Sequence, residues 1–414
     1  MKILVFTQYF WPENFRINDL TVGLAQKGHS VTVVTGIPNY PEGKYYSGYG
    51  LLKNWLQEYK GVKVLRLPMI PRGRGGNLCL FLNYISFMIS ALIFPPFLCR
   101  GKIDLVFFSL SPVAEGIPAI VLKFFKRASL VFWVQDLWPE SLSAIGAVKS
   151  KNILKAVEKL VYFIYSKCDR ILIQSDGFLN PIKNLGIDYK RITYYPNSVD
   201  KIYQPVVLEE TAQEHAELPV GFRVMFGGNI GAAQDFETLL AAAEILKGYQ
   251  DICWVVIGDG RLRPSVELRI KELGLTKSVY LLGKRPFEAM PRYFSLADVL
   301  LVNLKNESIF RLTIPSKIQA YLACAKPIIA ALDGEGARII KEAGAGLICM
   351  TENPDALANT VLEMYNKSQY ERKKMGENGR NYFNAHFESE MLLDRLEILM
   401  GELIKKKKME YVYD

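Results

Sequence analysis

Short, largely apolar runs separated by helix-length stretches constrain this chain more than any other feature. One series reads KILVF at 2–6, VTVVT at 31–35, LVFFS at 105–109, LVFWV at 130–134 and ILIQS at 171–175. A second reads RVMF at 223–226, CWVVIG at 253–258, VYLLG at 279–283, VLLVNL at 299–304 and PIIAAL at 327–332. A strand that is apolar at every position is buried on both faces, as happens in parallel sheets covered by helices. Gly28 fits the pattern, since it stops a helix just before the 31–35 run, where a positive φ is wanted. The 414 residues exceed one ordinary core. The expected fold class is α/β, with two Rossmann-like, doubly wound domains at 1–205 and 206–386. Residues 387–414 are expected to form a last helix that returns to the first domain and carries a basic tail.

Composition removes several classes of function. The six cysteines lie in apolar runs and form no C-x-x-C, which fits buried thiols in a reducing compartment. Three scattered histidines make no zinc site and no D-x-D pair offers a seat for Mg²⁺, so neither a metal nor a cofactor is expected. Residues 1–205 carry a net charge of +12 and residues 206–414 a net −3. A basic first half favours an anionic surface, such as a membrane face or a diphosphate-bearing acceptor. Lopsided solubility charge is the plainer alternative. No recognition motif interleaves with the basic residues, so nucleic acid is not an expected partner.

The segment Leu78–Leu98 is long and apolar enough to reach across a bilayer, with Arg72 before it and Arg100 after it. Asn83, Ser86, Ser90 and the Pro95–Pro96 pair weigh against a span. An amphipathic helix docked at a membrane surface is the favoured reading, with a core helix and a true span as alternatives. The opening run is a strand without the shape of a secretion signal. The expected location is cytoplasmic, peripheral on the inner face of the plasma membrane. Lys405–Lys408 would add attraction to that surface.

Ligands of open parallel sheets bind beyond the carboxyl ends of the strands. After the 223–226 run comes Gly227-Gly228-Asn229-Ile230-Gly231, then Gln234 and a helix start. Glycines allow close backbone approach and a helix N-terminus presents unpaired N–H groups, which makes a diphosphate cradle. A tight turn with no ligand would look the same. Arg261 in GDGR offers a forked donor to phosphate, or is a surface arginine on a turn. Arg285 follows the 279–283 run, Lys317 and Gln319 lie in the IPSKIQ helix start, and Glu335 follows the 327–332 run. In the first half the 130–134 strand ends in Gln135-Asp136-Leu137-Trp138-Pro139-Glu140-Ser141. Those carboxylates mark an acceptor site with Asp136 as a candidate base, unless Asp136 and Ser141 merely cap the next helix.

Taken together, GGNIG-x₂-Q, GDGRLR, LGKRP, IPSKIQAYLACAKPIIA and KEAGAG resemble the C-terminal domain of group 1 (family four) retaining glycosyltransferases of GT-B fold. FTQYFWPENFRIN, KGHSVTVVTG, VQDLWPES and YYPNSVD resemble the first domain of the same family, so nearly the whole chain is covered. VQDLWPES and PSK point to the WbuB- and WcaI-like branch that builds bacterial surface polysaccharides. The resemblance implies two domains facing a cleft and a nucleotide diphosphate-sugar donor, UDP-linked. The acceptor it implies is a polyprenyl-diphosphate-linked saccharide of O-antigen, capsule or exopolysaccharide synthesis. By analogy, the sugar is an N-acetylated deoxysugar such as N-acetylfucosamine.

Carried over by position, Gly228, Asn229, Gln234, Arg261, Lys317 and Gln319 meet the donor, with Arg285 at the base. Asp136 and Glu335 are the candidate catalytic carboxylates. Gln135, Glu140 and Arg16 face the acceptor, and Glu13 to Arg16 form a loop over the cleft. Family members commonly place two glutamates eight positions apart where this chain has Leu312 and Ala320, so those contacts fall to Glu307, Gln319 or Glu335. Many relatives have lysine in place of Gln234 and histidine in place of Gln135. Two rival readings stay open: a sugar-nucleotide epimerase of the same fold, and a membrane-associated assembly subunit without chemistry.

Overall fold

The computed structural model describes all residues except 52, 74, 75, 110–114, 145–147, 149 and 414. It divides into two compact units, Met1–Pro196 with the residues from Glu390 onward, and Asn197–Ser389. The junction lies ahead of the boundary read at 205 because the chain after Pro196 already packs in the second unit. Gln319 Nε2 donates to Asn197 O at 2.6 Å, and the Tyr203 ring stacks on Phe294 at 6.2 Å between centroids.

The first unit is built on an eight-stranded sheet. Its strands are β1 (Lys2–Phe6), β2 (Ser30–Gly36), β3 (Leu56–Tyr59), β4 (Val62–Leu67), β5 (Leu105–Ser109), β6 (Ser129–Val134), β7 (Arg170–Ile173) and β8 (Ile192–Tyr194). Their order is β3-β4-β2-β1-β5-β6-β7-β8, parallel throughout except for the β3–β4 pair at the edge. Val5 on β1 faces Val33 on one side and Phe107 on the other, so the central strands are walled in by strands as well as helices. The chain order reverses between β1 and β5, and their carboxyl ends form the switch point of this sheet.

The second unit repeats the plan with β9 (Phe222–Gly227), β10 (Ile252–Ile257), β11 (Val279–Gly283), β12 (Val299–Asn303), β13 (Ile328–Ala331) and β14 (Gly346–Cys349). The order is β11-β10-β9-β12-β13-β14, and every pair is parallel. Here the switch point lies between β9 and β12. Apolar clusters cover both faces, one centred on Tyr321 and Phe294, the other on Trp254 and Phe236.

The last helix, from Ser389, belongs to the first unit. Leu392, Leu393, Leu396 and Met400 join Val5, Val33 and Phe107 in one core. Lys27 and His29 pair with Asp394 and Glu397 at its rim. Burying a helical stripe of this kind supplies the apolar layer that the sheet face requires. Leu396 is 1% exposed. Leu396→Ala should therefore destabilise the first unit by about 2–5 kcal/mol, read as a lower urea midpoint of its unfolding transition.

Candidate functional site

Switch-point geometry singles out the residues that leave β9. Gly228 has φ +141°, and a Cβ there would sit 2.6 Å from Lys317 Cε. Gly258, just after β10, has φ +151°, and its Cβ would meet Gly228 O at 1.8 Å. Only glycine allows the two loops and the lysine stem to share this space. Hydrogen bonds lace the loops together: Gly228 N donates to Ile257 O at 2.8 Å, Ile230 N to Asp259 O at 2.9 Å, and Leu262 N to Ile230 O at 3.1 Å.

Lys317 enters from the helix Ser316–Ala323. Its Nζ lies 3.9 Å from the centroid of the Phe226 ring and donates to Gln234 Oε1. Among the described residues, no carboxylate forms an ion pair with it. Burial pushes its ammonium down to about 7. The ring face and one amide oxygen provide only part of the stabilisation that water would give, so an anion placed there would complete it.

The structure thus brings Gly228, Asn229, Gln234 and Lys317 together. Arg261 stands exposed on the loop laced to this cradle. Two residues that the pattern did not reveal hold it in place. Asn303, fully buried at the end of β12, donates through Nδ2 to Gln234 O at 2.6 Å and Asp235 O at 3.0 Å. Tyr321 Oη accepts from Gly227 N at 3.0 Å. An asparagine inside an apolar strand was the available signal for the first. Nothing local marked the second.

Three other donor-site candidates have different partners. Arg285 is bound to Glu217 Oε2 at 2.7 Å, to Tyr293 Oη at 3.0 Å and to Leu282 O at 2.6 Å, so its fork is occupied within the unit. Only the main chain around it remains to meet a base. Gln319 is buried and ties down Asn197, which gives it a structural place rather than one facing the cradle. Glu335 heads the helix Glu335–Ala343 and pairs with Arg338 at 2.7 Å, so its carboxylate already has a cation. Glu307 is exposed ahead of the short helix Ser308–Leu312. A cavity of about 370 Å³, lined by Cys324, Lys326, Lys373 and Arg380 among others, opens where the chain enters β13. That is the amino end of the strand, away from the switch point.

In the first unit Asp136 is exposed just past β6, and Glu140 is exposed at the start of the helix Glu140–Ala144. The Gln135 main-chain oxygen accepts from Gln174, while Gln135 Nε2 is buried with no hydrogen-bond partner among the described residues. Arg16 opens the helix Arg16–Gln26 and is half-buried. Glu13 is not a group facing outward from a loop. Its Oε1 accepts from Asn39 N at 2.8 Å and Tyr40 N at 2.7 Å, clamping the loop after β1 to the loop after β2. Burial raises its carboxyl to about 7 despite those bonds. Glu115, buried before the helix Gly116–Lys126, was not singled out from sequence. Burial holds its carboxyl well above the usual range, against the pull of the Gln8 backbone.

Residues 15–201 match the Glycosyltransferase Family 4 model and residues 209–382 the Glycosyl transferases group 1 model. WbjE of Pseudomonas aeruginosa, a probable glycosyltransferase, is 27% identical over 77% of this chain and 81% of its own. The colanic acid biosynthesis glycosyl transferase WcaI of Escherichia coli is 23% identical over 78% and 81%. A Campylobacter jejuni enzyme that acts as an N-acetylgalactosaminyltransferase on a diphospho-undecaprenol-linked sugar is 26% identical over 58% and 63%. Among solved structures, Thermosynechococcus elongatus sucrose-phosphate synthase superposes with TM-score 0.76 at 17% identity, covering 98% of this chain and 99% of that one. Anabaena HepE in complex with UDP and glucose gives 0.69 at 15%, covering 97% and 99%.

An anion reaching Lys317 would restore its ordinary basicity. With the free group near 7, pyrophosphate or UDP binding at pH 8 should therefore take up close to one proton per site. Calorimetry in buffers of different ionisation enthalpy reads this directly, and Lys317→Met should abolish the uptake. The sign for stability runs the other way. The unfolded lysine keeps its proton up to about 10.5, so this group's contribution to stability rises between pH 7 and that value.

Proposed function

The chain belongs to the group 1 glycosyltransferases of GT-B fold, and we propose that it moves an N-acetylated deoxysugar from a UDP-sugar to a polyprenyl-diphosphate-linked saccharide. One observation carries the donor side of this reading: Lys317, desolvated and without a carboxylate, faces the Gly228–Asn229 loop at the switch point of the second unit. The donor diphosphate sits on the amides of that loop, with Asn229 and Lys317 beside it and Arg261 at the rim. The nucleobase rests on the main chain of 283–286.

As the bond from the anomeric carbon to the diphosphate oxygen breaks, negative charge grows on the leaving group. Preorganised donors in a low-dielectric site stabilise that charge without reorganising. The acceptor hydroxyl forms the new bond on the same face of the sugar, and its proton passes to a phosphate oxygen of the leaving diphosphate. The anomeric configuration is retained, and no metal is required. Asp136, Gln135, Glu140 and Arg16 position the acceptor. Glu335, paired with Arg338, acts as part of a polar pair rather than as a base.

The acceptor assignment is supported by the basic first half and by the diphospho-undecaprenol substrate in the name of the Campylobacter relative. Colanic acid synthesis in the name of WcaI supports a surface polysaccharide as the product, made at the cytoplasmic face of the plasma membrane. N-acetylfucosamine is the first sugar to try.

The test is to incubate the protein with UDP-sugars and lipid-linked saccharide in EDTA and follow the lipid by mass spectrometry. The expected outcome is growth by one sugar with release of UDP, and Lys317→Met should lower kcat/KM by about 10²–10³. Conversion of the UDP-sugar without lipid would establish the epimerase instead. Failure to bind any nucleotide sugar at millimolar concentration would leave a non-catalytic subunit.

A further inference from the structure

A face of the first unit combines exposed aromatic side chains with a basic border. The helix Asn77–Ile93 is bound to the unit along one side only. Asn83 Oδ1 accepts from Gln8 Nε2 at 2.6 Å and Asn83 Nδ2 donates to Ile70 O at 2.6 Å. Ser86 Oγ accepts from Ile70 N at 2.9 Å, Ser90 Oγ donates to Pro68 O at 2.5 Å, and Phe87 is fully buried. Leu78–Leu98 is long and apolar enough to cross a membrane, and a span would have to break these bonds and strip Phe87 from the core. The opposite side shows Leu78, Phe81 and Ile93 to solvent.

Further aromatic side chains lie beside this helix. The short helix Pro95–Leu98 and the helix Gly116–Lys126 pack beside it. They present Phe97, 73% exposed, and Phe124 and Phe125, 81% and 67% exposed. From the far end of the chain, Lys407 Nζ donates to Ala128 O at 2.6 Å and approaches Asp169 at 3.6 Å. That anchor holds Lys407 beside Ala128, the residue that follows exposed Arg127, and Lys405, Lys406 and Lys408 around it are exposed.

We propose that Phe97, Phe124 and Phe125 insert into the interfacial layer of an anionic lipid bilayer, with Arg127 and the Lys405–Lys408 run on its head groups. Apolar contact and charge act together in such anchors, each being weak alone. The charge pattern selects this occupant. A second copy would bring the same basic border against itself, whereas an anionic surface complements it. The proposal deepens the reading of a lipid-borne acceptor, but it can stand or fall without any transfer reaction.

Flotation of the full chain with phosphatidylcholine vesicles, with and without phosphatidylglycerol, provides the test. Wild type should float with the anionic vesicles and lose that binding as salt rises. The triple variant Phe97→Ser, Phe124→Ser, Phe125→Ser should bind at least about tenfold more weakly. Replacing Lys405, Lys406 and Lys408 by glutamine should remove the preference for phosphatidylglycerol. A Phe125→Trp variant, which leaves the fold least disturbed, should shift its emission to the blue on the same vesicles. Wild type that stays unbound, a triple variant that floats like wild type, or unshifted emission would overturn the proposal. So would a lipid-free dimer that the triple variant converts to monomer, because the patch would then be an interface between copies.

Discussion

The arrangement of the second unit's strand ends turns on Lys317, an ammonium group with no carboxylate paired to it among the described residues. Lys317 reaches the carboxyl end of β9 past glycines that leave room for its stem, and it finds an aromatic face and one amide oxygen there. Much of the surrounding structure holds that arrangement. Tyr321 fixes the end of β9, Asn303 holds the carbonyls before the next helix, and the loop after β10 is bonded to the loop after β9. A charge in such a place is weakly stabilised while the site is empty and strongly stabilised once an anion arrives. The same low dielectric that depresses its basicity would strengthen its attraction to an anion placed beside it.

Much of this was legible in the sequence, because strands buried on both faces leave a continuous apolar signature and the glycine turns sit at their ends. Both sheets, and the grouping of Gly228, Asn229, Gln234 and Lys317, follow from that local pattern. What escaped it depends on partners far away along the chain. Arg285 looked available for a base, yet Glu217 holds it from 68 positions earlier. Gln319 sat one turn from the cradle in sequence, yet its side chain turns into the core to hold Asn197, 122 positions away. Phe124 and Phe125 lie at the end of a helix whose other face is buried, and only the neighbouring helices show that they face outward. No window of local sequence contains these contacts.

Two buried ionisable groups of the first unit, Arg66 and Glu13, are held differently. Arg66 is 3% exposed, but its guanidinium reaches Gln57 Oε1 at 2.9 Å and the main-chain oxygen of Trp11. Glu13 receives three backbone N–H groups, from Phe10, Asn39 and Tyr40. These ionisable groups tie together the loops after β1 and β2, and their hydrogen bonds are made within the unit. Their chemistry is consumed by the scaffold, which is why Glu13 is a clamp although its position in a strand-end loop resembles a functional one.

The contrast gives a criterion more discriminating than burial or a shifted pKa alone. Glu13 and Lys317 are both desolvated enough to titrate near neutrality, yet one is satisfied by its own backbone and the other is not. Satisfied groups lose stability when removed and gain nothing from a ligand, whereas an unsatisfied one is stabilised by whatever completes it. Applied to the strand end of β6, the same criterion separates two parts of Gln135. Its main-chain oxygen is engaged by Gln174, while its side-chain Nε2 is buried with no partner among the described residues. That amide nitrogen is a donor that an oxygen atom would complete. It leaves the first unit an unsatisfied donor at a strand end, as Lys317 leaves the second an unsatisfied cation.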